Sequence, residues 1–150
     1  MATSTLIQAL IAGGDADQSN RRQVETFLSN GAIAAGDWVS FDSTKTGADA
    51  TLYAIEAAAV ATVGNSLTMG VSLETVVAGD KVRVVISGYC ARASVPAATV
   101  AGSALVGPVT VPGQATIEAP GTTTGSLCGA ALSDDSVETN YAEVSVYNNF

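Results

Sequence analysis

Histidine is absent from this sequence, and Cys90 and Cys128 are its only cysteines. Without imidazole and with two thiols, the usual zinc ligand sets cannot be assembled, and Ser-His and Cys-His nucleophile pairs are excluded. No metal or cofactor is expected. Basic side chains are also scarce, six against fourteen acidic ones, for a formal charge of -8. Such a surface repels phosphate backbones, so direct nucleic-acid binding is not expected. No apolar run is long enough to span a bilayer. Met1 to Thr5 carry no Lys or Arg, and the apolar stretch that follows is broken by Gln8 and by Gly13-Gly14-Asp15, unlike a secretory signal. A soluble protein made in the cytoplasm is expected, with both cysteines reduced and buried rather than bridged.

Aromatics make up 5% and charged residues 13% of the chain, while apolar residues reach 47% through Ala and Val. A domain of 150 residues buries about 68–70% of its unfolded surface in one core. That core should be thin and built of small side chains. Thr, Val, Gly and Ser recur while long helix-forming stretches are lacking, which favours short strands and turns. The expected fold is all-β, a small barrel or sandwich-like domain over residues 21–150 preceded by an N-terminal arm over 1–20.

Within that arm Leu6, Ile7, Leu10 and Ile11 are the large apolar groups, with the polar stretch Gly13 to Asp17 behind them. Their spacing would line one stripe of a helix. From Arg22 to Leu28, alternation predicts a strand with Val24, Thr26 and Leu28 on the core face, and a short helix capped by Ser19 or Asn20 is the competing reading. Ala35-Gly36-Asp37 reads as a turn feeding a strand from Trp38 to Phe41, and Asp42 to Asp49 as a polar loop leading to a strand over Thr51 to Ile55. The turn unit is echoed by Ala78-Gly79-Asp80 and, more faintly, by Ala101-Gly102-Ser103. A second echo relates Met69-Gly70-Val71 to Cys128-Gly129-Ala130. Their spacing is too irregular for a solenoid.

The clearest strand is Lys81 to Ile86, with Val82, Val84 and Ile86 inward, after which Ser87-Gly88-Tyr89 is expected to turn the chain. Pro96, Pro108, Pro112 and Pro120 confine the stretch between them to short edge strands and loops. Ala142 to Tyr147 alternates as a closing strand.

Asp37, Asp80 and Asp134-Asp135 are the candidates for acid/base or calcium chemistry, but Asp beside Gly is the chemistry of a turn, and no dense Asp-x-Asp ladder is present. The glycines form no phosphate-cradling pattern. Trp38 and Phe41 fall on opposite faces of one strand, so at least one of them belongs to the core rather than to a stacking site. Arg21 and Arg22 could pair with an acidic partner or form a solvated face.

The Ala-Gly-Asp-strand units, the Gly-Val-Ser-Leu-Glu strand at 70–74, the strand at 78–85, Cys-Gly-Ala-Ala-Leu-Ser at 128–133 and the closing Glu-Val-Ser-Val together resemble the small capsid decoration, or cement, proteins of tailed bacteriophages. The stretch from Arg21 to Phe27 and the Ala-Gly-Asp-Trp-Val unit are most similar to such proteins from phages of aquatic bacteria. The resemblance spans residues 21–150. It implies a β-rich homotrimer on the outer surface of a virion head that staples neighbouring major capsid protein subunits, and it carries over no catalytic residue. Leu6, Ile7, Leu10, Ile11, Arg21 and Arg22 are then the expected capsid contacts. Two other classes compete: a surface adhesin or fibre module binding glycans, and a small enzyme working through two carboxylates.

Overall fold

A computed structural model describes residues 22–61, 64–119, 126–135 and 138–147. Among these residues nine strands form in chain order: β1 (Gln23–Ser29), β2 (Trp38–Phe41), β3 (Tyr53–Glu56), β4 (Thr68–Ser72), β5 (Lys81–Ser94), β6 (Ala104–Val106), β7 (Thr116–Ile117), β8 (Leu127–Ala131) and β9 (Tyr141–Val146). The fold is all-β. Its helical element among the described residues is a 3-10 turn at Gly47–Thr51, inside the polar loop, and no helix there is long and apolar enough to cross a membrane.

Strands β1-β3-β2-β4-β5 close into a five-stranded barrel, because β1 pairs with both β3 and β5. β1 runs parallel to β3, and the other barrel pairs are antiparallel. A second sheet, β5-β9-β8-β6-β7, lies against the barrel wall. β5 belongs to both: its first half lies between β1 and β4, and its second half pairs with β9.

Alternation along the strands fills two cores from one wall. Phe27, Val39, Ala54, Met69, Val82 and Val84 fill the barrel, with Ile33 and Val76 beside them. Trp38, Val71 and Val85, directly opposite one another across β2, β4 and β5, point out of the barrel and are covered by Cys90, Leu105, Val144 and Val146 of the second sheet. Both cores are rich in Val, and the one between barrel and sheet is rich in Ala as well, as the composition predicts. Trp38 and Phe41 do lie on opposite faces: Trp38 sits in the core between barrel and sheet, and Phe41 meets Phe27 edge-on, ring centroids 6.0 Å apart.

The echoed turn units adopt one geometry. In Ala34–Asp37, Val77–Asp80 and Val100–Ser103 the fourth residue's N–H donates to the first residue's carbonyl at 3.1, 3.2 and 3.0 Å. The fourth side chain accepts from the first N–H. The third residue is Gly at φ +92, +92 and +89, the conformation a type II turn demands there. Each turn delivers the chain directly into β2, β5 or β6. Asp37 and Asp80 thus have the turn role expected of them. In the second echo, Gly70 and Gly129 lie inside β4 and β8, where a Cβ would stand 2.1 Å from the Val85 carbonyl oxygen and 2.6 Å from that of Ser145. Absence of a side chain lets these strands approach their neighbours.

Three expectations are corrected. The strand at 22–28 forms, not the competing helix, but Phe27 and Ser29 face the barrel interior, while Val24, Thr26 and Leu28 point outward. Either alternation suits these residues locally; burying the Phe27 ring removes the larger apolar area and decides the register. Ser87-Gly88-Tyr89 does not turn the chain. Gly88, at φ +89, lets β5 run through into the second sheet. The proline-rich half contributes β6 and β7, both short as expected, yet only β7 is an edge, since β6 lies between β7 and β8.

Candidate functional site

Of the residues expected to touch a partner, Leu6, Ile7, Leu10, Ile11 and Arg21 lie outside the described residues. Arg22 is half-buried, directly before β1. The chain enters β1 and leaves β9 on either side of one point of β5: Gln23 pairs with Ser87, and Val146 pairs with Gly88. The start of β1 and the end of β9 therefore share one region of the surface. Val24, Leu127 and Tyr147, each more than 40% exposed, belong to the strand ends there.

At this place β1 outruns its barrel neighbour. Gln23, Val24, Glu25 and Thr26 are exposed on both faces of the strand. β5 pairs along the length of β1, whereas β3 pairs only with Leu28 and Ser29. Backbone direction alternates along the strand. Leu28 and Asn30 donate toward β3, to the carbonyls of Leu52 and Ala54, and Ser29 donates toward β5, to Asp80. By that alternation the N–H and C=O of Thr26 and Val24 point to the β3 side, beyond the end of β3. Sequence reasoning missed this edge because it put Val24 and Thr26 in the core; the alternation that produced the error is the one that places them outside.

A second constellation joins the layers. Arg92, at a register shift in β5, donates to both carboxylate oxygens of Glu138 at 2.8 and 2.7 Å and to the Ala35 carbonyl at 2.6 Å. Its guanidinium stacks 3.5 Å from the Tyr141 ring centroid. The Glu138 hydrogen bonds are the main reason the Arg92 pKa is raised and that of Glu138 lowered. Two shallow clefts of about 170 and 160 Å³ flank Arg92. Both fall below the roughly 300 Å³ at which small-molecule pockets begin. Each of the three Arg92 side-chain nitrogens donates within the protein, and the residue acts as a clasp between the barrel turn and the second sheet.

The third constellation is a carboxyl pair. A Cβ built on Gly113 would lie 2.7 Å from Glu56 Oε1 and 3.1 Å from Asp37 Cγ, so the two groups are no more than about 6 Å apart, within range of like-charge coupling. Partial burial raises the pKa of each, Asp37 adds to the rise at Glu56, and the Ala34 N–H and the charge of Arg92 oppose it at Asp37. Paired acid chemistry would need such groups, but the Gly113 backbone packs against both and neither lines the clefts. Asp42, 2% exposed, is different: it accepts from Asn30 Nδ2 and from the N–H and hydroxyl of Thr44, and those bonds lower its pKa. It ties the end of β1 to the polar loop. Asp134 and Asp135 accept from the N–H groups of Ala101 and Ala98, which accounts for them as loop anchors. Among the described residues, no group of three or more His, Cys, Asp or Glu side chains could hold a metal ion.

A five-stranded barrel whose fifth strand continues into a covering sheet is the architecture this chain defines. Its fold is similar to that of the N base of the head fiber gp8.5 of bacteriophage phi29, with a TM-score of 0.51 and 14% identity over 85% of this chain and 95% of that one. At that identity the likeness concerns the fold. No family model matches the chain, and no curated protein does.

Proposed function

We propose that this chain is a structural component of a bacteriophage head that binds the outer surface of the shell and staples neighbouring major capsid protein subunits, acting as a homotrimer and not as an enzyme. The observation that carries this reading is the fold, shared along nearly the whole of a phage head-fiber base. It is supported by the decoration-protein resemblance of the strand motifs and by Asp37, Asp42, Asp80 and Arg92 being spent on turns and clasps. Leu6, Ile7, Leu10, Ile11, Arg21 and Arg22 form the grip. Four aliphatic side chains at about 1.5–3 kcal/mol each are offset by the ordering of some ten residues at about 1–2 kcal/mol each, so a single arm binds weakly. Several arms in one oligomer bind together.

Purified protein mixed with heads that lack it should appear in a reconstruction as density at three-fold or quasi-three-fold positions. Single copies on each subunit, or binding about two-fold axes, would refute the trimer. A second reading, a fibre module that binds glycans, draws on that same neighbour being a head fiber. Glycan binding without head binding would favour it.

A further inference from the structure

We propose that the open edge of β1, from Gln23 to Phe27, is a strand-addition site that takes an extended segment of the shell protein carrying a basic side chain opposite Glu25. The inference rests on the head-surface reading and names the part of the body that makes the contact.

The edge has the chemistry of half a ladder. The outward N–H and C=O groups of Val24 and Thr26 follow the alternation set by Leu28, Ser29 and Asn30, and β3 stops short of them. Backbone groups in that spacing are matched by another extended backbone, the mode in which main-chain bonds give affinity and alternate side chains give specificity. On one face the incoming strand meets Val24 and Thr26, which suit β-branched side chains. On the other it meets Glu25, held by a 3.0 Å bond from Gln23 Nε2.

Charge selects among occupants. A second copy pairing β1 with β1 would set Glu25 near its own counterpart, between two molecules of net charge -8. Residues 1–20 contain Asp15 and Asp17 and no Lys or Arg. In that register the second copy supplies no cation opposite Glu25, and residues 1–20 have none to supply. A strand from a different protein can, and the attraction also speeds encounter. Because β1 continues directly from the arm, strand addition here extends the arm's contact into the folded body.

The test uses the full chain and heads that lack it. Amide exchange at Val24 and Thr26 should be fast in the free protein and slow once bound. Thr26→Pro removes an N–H that points to the open edge, at a position where an edge strand tolerates proline. It should leave the melting curve nearly unchanged and weaken head binding at least about fivefold, the scale of one lost backbone bond. Glu25→Gln should flatten the salt dependence of binding.

Wild-type protein that binds heads while these amides stay unprotected, or Thr26→Pro protein that is folded and binds as well as wild type, overturns the proposal. Should Thr26→Pro fail to fold, the exchange measurement on wild type still decides. Protection already present in the free protein overturns it in favour of a second copy, if it grows with concentration, or of the chain's own arm, if deleting residues 2–14 removes it. Wild-type protein that binds no heads overturns the head-surface reading itself, and this inference with it.

Discussion

The indole N–H of Trp38 donates to the backbone carbonyl of Ser94 at 3.0 Å, joining the start of β2 to the last residue of β5 across the core between barrel and sheet. Trp38 is fully buried, and Gly129 of β8 leaves room for its ring, with a Cβ there 3.1 Å from Cη2. Trp38→Ala should therefore cost about 3–5 kcal/mol, close to the whole stability of a small domain. Trp38→Phe should cost less, about 1–3 kcal/mol, since the Ser94 carbonyl keeps the Ala115 N–H as a partner. Denaturant unfolding measures both.

Two glycines separate close approach from backbone conformation. At Gly79 nothing lies within 4 Å of a built Cβ, and only the φ of +92 opposes a side chain, so Gly79→Ala should cost about 1–2 kcal/mol. At Gly70 the Cβ would fall 2.1 Å from the Val85 carbonyl oxygen, so a whole strand must shift, at about 3 kcal/mol or more. Equal melting temperatures for the two variants would contradict the strand packing described.

Asp37 and Glu56 set a pH dependence of unusual sign. Their folded pKa values lie above the ordinary 3.8 and 4.5, so the folded protein holds their protons more tightly than the unfolded chain. Their contribution is most favourable below that ordinary range and is lost as pH rises through the raised values. Glu56→Gln should make the protein more stable than wild type at pH 7, by less than about 1 kcal/mol given partial exposure, with the gain vanishing below pH 4. Asp42, Glu74 and Glu138 act oppositely: hydrogen bonds lower their pKa values, and their contribution disappears as pH falls through those lowered values. Thermal melts of wild type and Glu56→Gln between pH 3 and 8 test the sign.

Cys90 and Cys128 are buried free thiols, and burial pushes Cys128 up to about 12. Neither should react with a thiol reagent at pH 8 until the protein unfolds. Chelator and reductant should leave the melting temperature unmoved. A fall of more than about 10 °C with either, several kcal/mol for a domain of this size, would show a support the structure lacks among its described residues.

What the sequence shows and hides follows range. Lys81 to Ile86 and Tyr141 to Val146 declare themselves as strands because alternation is local, and the Ala-Gly-Asp turns because their chemistry lies within four residues. Barrel closure depends on β1 reaching both β3 and β5, and no local signal encodes a parallel pair such as Leu28 with Tyr53. Gly88, at φ +89 inside β5, is ambiguous in sequence because a glycine that bends a strand and one that ends it look alike. Asp37 meets Glu56 only through the β2–β3 register, where Val39 stands opposite Glu56, and Arg92 meets Glu138 from 46 residues away. The carboxyl pair and the clasp could not be read in advance for that reason. The open edge of β1 appears only once β3 is seen to begin at Tyr53, opposite Leu28.

A protein that binds a phage head should occupy heads that lack it, and counting bound copies measures this directly. Full-length protein and protein without residues 2–14 would be added to such heads and bound copies counted by electron microscopy. The full chain should bind saturably in groups of three, and the shortened chain should melt as the full one does but bind far more weakly. No saturable binding by the full chain would contradict the account; equal occupancy by both would move the grip from the arm to the body.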